Sequence, residues 1–139
     1  MERKRVLFLC TGNSARSQMA EGLLRREGGD RFEVLSAGTS PTALRSEAVA
    51  VMAEIGIDIS GQRSKSVNEF AGTEFDYVIT VCDNAKKSCP VFPGAAARLH
   101  WSFEDPAAAE GSDDERRSAF RKIRDQIHRR IEAFARESS

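Results

Sequence analysis

The segment Cys10-Thr11-Gly12-Asn13-Ser14-Ala15-Arg16-Ser17 carries a thiol and, six residues later, a guanidinium, with small and polar residues between them. Cysteine attacks as its thiolate, and the residues that follow Cys10 are of the kind that stabilise an anion. Gly12 and Asn13 tolerate left-handed backbone, which turns successive N–H groups inward as a nest, and a helix starting behind them adds the positive end of its dipole. Arg16 supplies a planar, two-pronged donor suited to a tetrahedral oxyanion. Residues Thr11 to Ser17 therefore read as an oxyanion cradle with Cys10 at its floor. The same donors are expected to hold the Cys10 thiol well below its free value of about 8.5. A cysteine and an arginine at this spacing are common by themselves, and a free cysteine closing a strand is ordinarily a small buried hydrophobe. The anion-binding residues that follow separate the two readings.

Such a loop needs a strand in front and a helix behind. Arg5 to Cys10 is an apolar run of strand length, and after the loop Met19, Ala20, Leu23 and Leu24 recur at helical spacing until Gly28-Gly29. Phe32 to Ala37 predicts a second strand. Ser40-Pro41 then opens a helix with Leu44, Ala48, Val51, Met52 and Ile55 on one face, closed by Gly56. Ser64 to Phe70 reads as a short helix, Phe75 to Cys82 as a buried strand, residues 83–89 as a short helix or loop, and Arg98 to Phe103 as a fourth strand. Ser112 and Glu115 form a capping box before a long helix with Phe120, Ile123, Ile127, Ile131 and Phe134 along one stripe. The basic residues of that helix, from Arg116 on, read as a solvated face that complements the dipole. Strands alternating with helices imply an α/β fold, a parallel sheet with helices on both faces, whose ligands sit outside the carboxyl ends of the strands.

Composition narrows the function. With 139 residues and 15.3 kDa, 40% apolar and 30% charged, residues 1–139 are expected to form a single domain with a real core. The 21 basic and 21 acidic residues cancel, so nothing advertises a nucleic-acid partner. No apolar run approaches the roughly 20 residues of a membrane span, and Met1-Glu2-Arg3-Lys4-Arg5 is not followed by a signal-type apolar stretch, so a cytoplasmic location is expected. Three cysteines, Cys10, Cys82 and Cys89, are too few and odd in number for a disulfide scaffold. A zinc site is poorly served, because Cys82 and Cys89 lie outside the usual ligand spacing and only His100 and His128 are available to complete it. Asp105, standing before Pro106 after the fourth strand, reads in isolation as a turn aspartate.

The run Cys10 through Glu21, Cys-Thr-Gly-Asn-Ser-Ala-Arg-Ser-Gln-Met-Ala-Glu, resembles the phosphate-binding loop of the low-molecular-weight protein tyrosine phosphatase superfamily. Within it, the chain is most similar to the thioredoxin-coupled arsenate reductases. The likeness continues through Ser36-Ala37-Gly38, Ile57-Asp58-Ile59-Ser60, Val81-Cys82-Asp83, Cys89-Pro90, His100-Trp101 and Asp105-Pro106-Ala107. The resemblance implies a four-stranded parallel sheet in the order 2-1-3-4. It makes Cys10 the nucleophile, Cys82 and Cys89 successive resolving thiols, Arg16 the oxyanion clamp and Asp105 a general acid. Arsenate is then the substrate, with phosphate or sulfate as competing oxyanions, and thioredoxin is the reductant. No cofactor or metal is called for, and a monomer is expected. Strands about 4.8 Å apart bring thiols at two adjacent carboxyl ends within disulfide reach. Cys82 and Cys89, about 10.5 Å apart on a helix, bond only if their segment unwinds. Two other classes remain: a plain phosphatase using Cys10, Arg16 and Asp105, and a non-enzymatic redox sensor.

The chain departs from the resemblance in one place. Some of these reductases hold a potassium ion beside the loop through groups matching Asn13, Glu21 and Ser36 and an acidic residue near position 65. Here that residue is Lys65. Its ammonium carries the ion's charge, so Lys65 is expected either to reach Glu21 in place of the ion or to stay solvated.

Overall fold

The computed structural model describes residues 3–82 and 97–137. Four parallel strands, β1 (Lys4–Cys10), β2 (Phe32–Gly38), β3 (Tyr77–Thr80) and β4 (Ala97–His100), form one sheet in the order β2-β1-β3-β4. Both the order and the parallel sense are those implied by the resemblance. The central strand β1 is buried from Val6 to Cys10, as a run without polar alternation requires when both faces are covered. It pairs with β2 through Cys10↔Gly38 and with β3 through Leu9↔Thr80, and Val81 N–H extends the ladder to Leu9 O at 2.8 Å. This register sets Cys10 and Cys82 at neighbouring carboxyl ends.

Three α-helices complete the described fold: α1 (Arg16–Gly28), α2 (Ser46–Ala53) and α3 (Asp113–Glu137), with α3 packed along both α1 and α2. The Ser112 box forms as expected: Glu115 N–H donates to Ser112 Oγ at 3.2 Å, and Ser112 N–H donates to Glu115 Oε1 at 3.3 Å. Phe120, Ile123, Ile127, Ile131 and Phe134 are buried. Phe134 sits among Phe32, Tyr77 and Trp101, with ring centroids 5.7, 5.0 and 5.6 Å away, so one α3 side chain closes the core beneath three strands or their extensions. Among the described residues no helix is long and apolar enough to cross a membrane.

Several elements differ from the expectations. The helix expected from Ser40-Pro41 starts only at Ser46, and the segment ahead of it is tied to the loop, with the amides of Ser40, Thr42 and Arg45 donating to carbonyls of residues 11–14. Ser64 to Phe70 condenses to a single 3-10 turn, Val67–Phe70, and the strands expected over 75–82 and 98–103 shorten to β3 and β4. The arginine face of α3 is only partly solvated. Arg116 pairs with Glu47 and Arg121 with Glu54, each at 2.8 Å, and the buried Arg124 caps α2 by donating to Val51 O at 2.7 Å while reaching Glu54 at 3.0 Å. These arginines form the seam between α3 and α2. The segment 83–89, with Cys89, lies outside the described residues.

Replacing Phe134 by alanine removes three aromatic contacts from a site that cannot fill the void. Urea unfolding should show a loss of about 3–5 kcal/mol with an unchanged dependence on denaturant concentration.

Candidate active site

The loop between β1 and α1 is held from behind. Thr39 N–H donates to Cys10 O at 3.1 Å, Ser40 to Thr11 O at 2.8 Å, Thr42 to Gly12 O at 3.0 Å and Arg45 to Ser14 O at 2.9 Å. Asn13 O accepts from Gln18 Nε2 at 2.9 Å and Ser64 Oγ at 2.6 Å. Every peptide here is trans, so each carbonyl lies opposite the N–H of the next residue. With the carbonyls of residues 10–14 drawn outward, the amides of residues 11–15 are directed inward, and α1 begins at Arg16 behind them. Amides turned inward in this way offer the donors that an anion nest requires.

The glycines serve it through space. Within the loop Asn13 alone takes positive φ, at 48°, so Gly12 is not left-handed as expected. Gly12 is needed for contact: a Cβ there would lie 3.1 Å from Thr42 Oγ1 and 3.3 Å from Ser14 Oγ. At Gly38 a Cβ would stand 2.5 Å from Thr11 O and 2.9 Å from Asn13 N, so the end of β2 presses directly on the loop.

Asn13 is fully buried and saturated. Its Nδ2 donates to Ser17 Oγ at 2.8 Å and Ser36 Oγ at 3.0 Å, while Oδ1 accepts from Gln18 Nε2 at 3.0 Å and Lys65 N–H at 2.9 Å. Ser36 Oγ donates to Glu21 Oε1 at 2.5 Å. Glu21 is buried and flanked by Arg25 at 2.6 Å and Lys65 Nζ at 3.9 Å, and Lys65 also donates to Arg63 O at 2.9 Å. The Lys65 side chain is 11% exposed, so it is not solvated, and burial pulls its pKa below the usual lysine range against the attraction of Glu21.

At the mouth, Arg16 Nη1 donates to Phe103 O at 3.0 Å and Nη2 lies 3.8 Å from Asp105 Oδ2. The structure thus brings Asp105 to the loop. Asp105 also behaves as a turn aspartate, its Oδ1 accepting from Ala107 N–H at 3.0 Å over the Pro106–Ala108 turn. Its side chain is 49% exposed, so it stands at the mouth of the loop in contact with solvent.

Cys10 and Cys82 are both buried and unbridged, in side-chain hydrogen-bonding contact, and Cys82 Sγ lies 3.3 Å from Thr11 Oγ1. The expectation of a lowered Cys10 pKa is corrected. The hydrogen bond with Cys82 pushes it up, burial adds to this, and the Arg16 charge and the Thr11 amide pull down without prevailing. Where two thiols are in contact, a first thiolate disfavours loss of the second proton beside it.

Sequence reasoning missed Gln18, whose side chain bridges Asn13 to Arg63 O and accepts from Gln62 at 2.7 Å, as well as Ser64 and the 39–45 amides. Gln18 lies on the side of α1 that carries Glu21 and Arg25, away from Met19, Leu23 and Leu24, so residue type and spacing did not single it out. The amides of 39–45 left no signal in residue type.

Replacing Cys82 by serine removes the sulfur that raises Cys10 and leaves Arg16 and the Thr11 amide in place. The pH profile of Cys10 alkylation by iodoacetamide, followed by peptide mass mapping, should move to lower pH, giving faster labelling near pH 7 than in the unmodified chain. An unmoved profile would show that Cys82 does not set the Cys10 pKa.

The chain matches the family model for low molecular weight phosphotyrosine protein phosphatase over residues 5–138. It is 47% identical over 135 residues to the arsenate reductase of Halalkalibacterium halodurans, covering 97% of each chain. Its fold superimposes on a solved arsenate reductase in the phosphate binding state with a TM-score of 0.84, at 34% identity and 98% and 99% coverage. A thioredoxin-dependent arsenate reductase of Corynebacterium glutamicum matches with a TM-score of 0.74 at 28% identity, over 99% of this chain and 62% of that one. With an anion nest, a thiol at its floor and full-length relatives of this kind, the chain belongs to the low molecular weight phosphotyrosine protein phosphatase family and falls among its arsenate reductases.

Proposed function

We propose that the protein reduces arsenate to arsenite through Cys10, Cys82 and Cys89 in turn, with thioredoxin as the final reductant. The observation that carries this reading is the contact between two reduced thiols, Cys10 and Cys82, directly beneath an inward-facing amide nest. A phosphatase needs only one of them. Arsenate matches phosphate in shape and charge, so the amides of Thr11 to Ser17 and the Arg16 guanidinium hold it, and phosphate and sulfate compete.

The Cys10 thiolate attacks arsenic(V), forming a sulfur–arsenic bond while one arsenate oxygen leaves as water, protonated with help from Asp105. Cys82 then attacks Cys10 Sγ. The electron pair of the sulfur–arsenic bond passes to arsenic, which departs as arsenite, and a Cys10–Cys82 disulfide remains. Cys89 attacks Cys82 Sγ, releasing the Cys10 thiolate and forming Cys82–Cys89, which a thioredoxin dithiol reduces by exchange. The two electrons given to arsenic thus come from thioredoxin. The shared proton fits this order: whichever sulfur carries the first thiolate, substrate bound through Arg16 and the nest consumes it at Cys10, and the bonded Cys10 no longer opposes ionisation of Cys82. A slow phosphatase side activity follows from the same loop.

Lys65 takes the place of a monovalent cation in this reading. Its ammonium, held against Glu21 and Arg63 O, supplies one positive charge behind Asn13.

Arsenate added to the chain with thioredoxin, thioredoxin reductase and NADPH should drive continuous NADPH oxidation. Cys10→Ser should abolish both this and the phosphatase activity, since a hydroxyl stays un-ionised in the nest. Cys82→Ser should keep slow phosphatase activity and lose arsenite release. Cys89→Ser should release one arsenite per chain and trap Cys10–Cys82, and sustained cycling in that variant would remove Cys89 from the relay. Turnover and melting temperature should be indifferent to exchanging potassium for sodium at constant ionic strength, whereas Lys65→Asp should become potassium-dependent. A specific potassium stimulation of the unmodified chain would refute the role given to Lys65.

A further inference from the structure

Toward the carboxyl end of α1, away from the anion loop, Glu27 meets His128 and Glu132 of α3. His128 Nε2 lies 3.0 Å from Glu27 Oε1 and 3.9 Å from Glu132 Oε1, and one ligand atom from each of the three residues falls within 4.8 Å of the others. We propose that Glu27, His128 and Glu132 form a binding site for a divalent first-row transition metal ion, Zn2+ foremost, which ties α1 to α3.

The geometry is close to what such an ion requires. Nitrogen and oxygen ligands at about 2.0–2.1 Å around a tetrahedral Zn2+ stand roughly 3.3–3.4 Å from one another. The two His128 distances, 3.0 and 3.9 Å, straddle that separation, and all three ligand atoms lie within 4.8 Å of one another, so side-chain adjustments draw them onto the ion. His128 and Glu132 are one helical turn apart on the same face of α3, which fixes their relative position. Glu27 is held opposite them by the α1–α3 packing and by Arg31, whose guanidinium donates to Glu27 O and to Ala135 O across the same seam. An imidazole with two carboxylates suits Zn2+, Co2+ or Ni2+, whereas Ca2+ and Mg2+ prefer oxygen ligands alone. Two carboxylates also neutralise a divalent charge. The side chains of Glu27, His128 and Glu132 are 30%, 33% and 44% exposed, which leaves an entry path and room for water at the fourth position. Binding needs the free lone pair of His128 Nε2, so affinity falls as the imidazole is protonated. None of the three residues takes part in the proposed reduction, and the site stands whether or not that reading holds.

The chain has two histidines, His100 and His128, which makes the site directly readable. In a Co2+ titration of the full reduced chain followed by proton NMR, the His128 ring signals should shift and broaden at stoichiometric metal while those of His100 stay sharp. Zn2+ should displace the Co2+, raise the melting temperature by several degrees and be reversed by a chelator. Glu132→Gln and His128→Gln should each weaken Co2+ binding by at least about tenfold, with the melting temperature in chelator little changed. Broadening confined to His100, which lies on the same sheet edge as the thiols, would place the metal at cysteine and overturn the proposal. So would an unperturbed His128 at millimolar Co2+, or undiminished affinity in both variants.

Discussion

The structure depends on carbonyls drawn outward from one loop. A peptide segment that is to bind an anion must present its N–H groups, and the opposing carbonyls then need partners elsewhere. Here residues 39–45 supply them, running past the loop with the amides of Thr39, Ser40, Thr42 and Arg45 committed to Cys10, Thr11, Gly12 and Ser14. Gly38 lets the end of β2 come close enough for that segment to begin. The late start of α2 goes with this, because residues 39–45 follow the loop and do not coil until Ser46. The parallel register beneath it, Cys10 beside Gly38 and Leu9 beside Thr80, sets the depth at which the loop leaves the sheet.

The same register places Cys82 beside Cys10 and creates a conflict. A nucleophile benefits from a low pKa, and Arg16 with the Thr11 amide works in that direction, yet a second thiol in contact and burial on all sides work against it. The conflict has a chemical use. A pair that shares one proton releases its first thiolate more readily than its second, and when one sulfur is bonded to another atom the remaining thiol loses its inhibiting neighbour. In the relay proposed above, that contact would set the order in which the two thiols react.

Much of this is legible in the amino-acid sequence. The strand–loop–helix reading of residues 5–28 and the capping box of α3 survive because local pattern and tertiary demand agree there. The apolar stripe through Phe134 survives for the same reason. The helix expected over 40–56 fails at its first turn because its amides answer to distant carbonyls, which no local periodicity reports. The basic stripe from Arg116 on reads as solvated because charge alone does not reveal a carbonyl at the end of α2 that takes Arg124 as its donor. The lowered Cys10 pKa was expected from the loop's own donors. The opposing influence, a thiol 72 residues away, enters only through the fold.

Behind the loop, the direction of a hydrogen-bond chain is settled by one charge. An ionised carboxylate accepts and cannot donate, so Glu21 obliges Ser36 to point its hydroxyl proton toward Oε1. The lone pairs of Ser36 Oγ are then left facing Asn13, which must present Nδ2 and therefore turns Oδ1 toward Gln18 and the Lys65 amide. A buried carboxylate holds its charge only when it is compensated, and Arg25 and Lys65 do this from the two sides of Glu21. Without those two cations a carboxylate would be left buried with no opposite charge beside it. Asn13 is the one non-glycine residue at positive φ in the described chain, and its carbonyl is among those held outward. The polarity of the nest thus rests on a pair of cations that never touch the anion it binds.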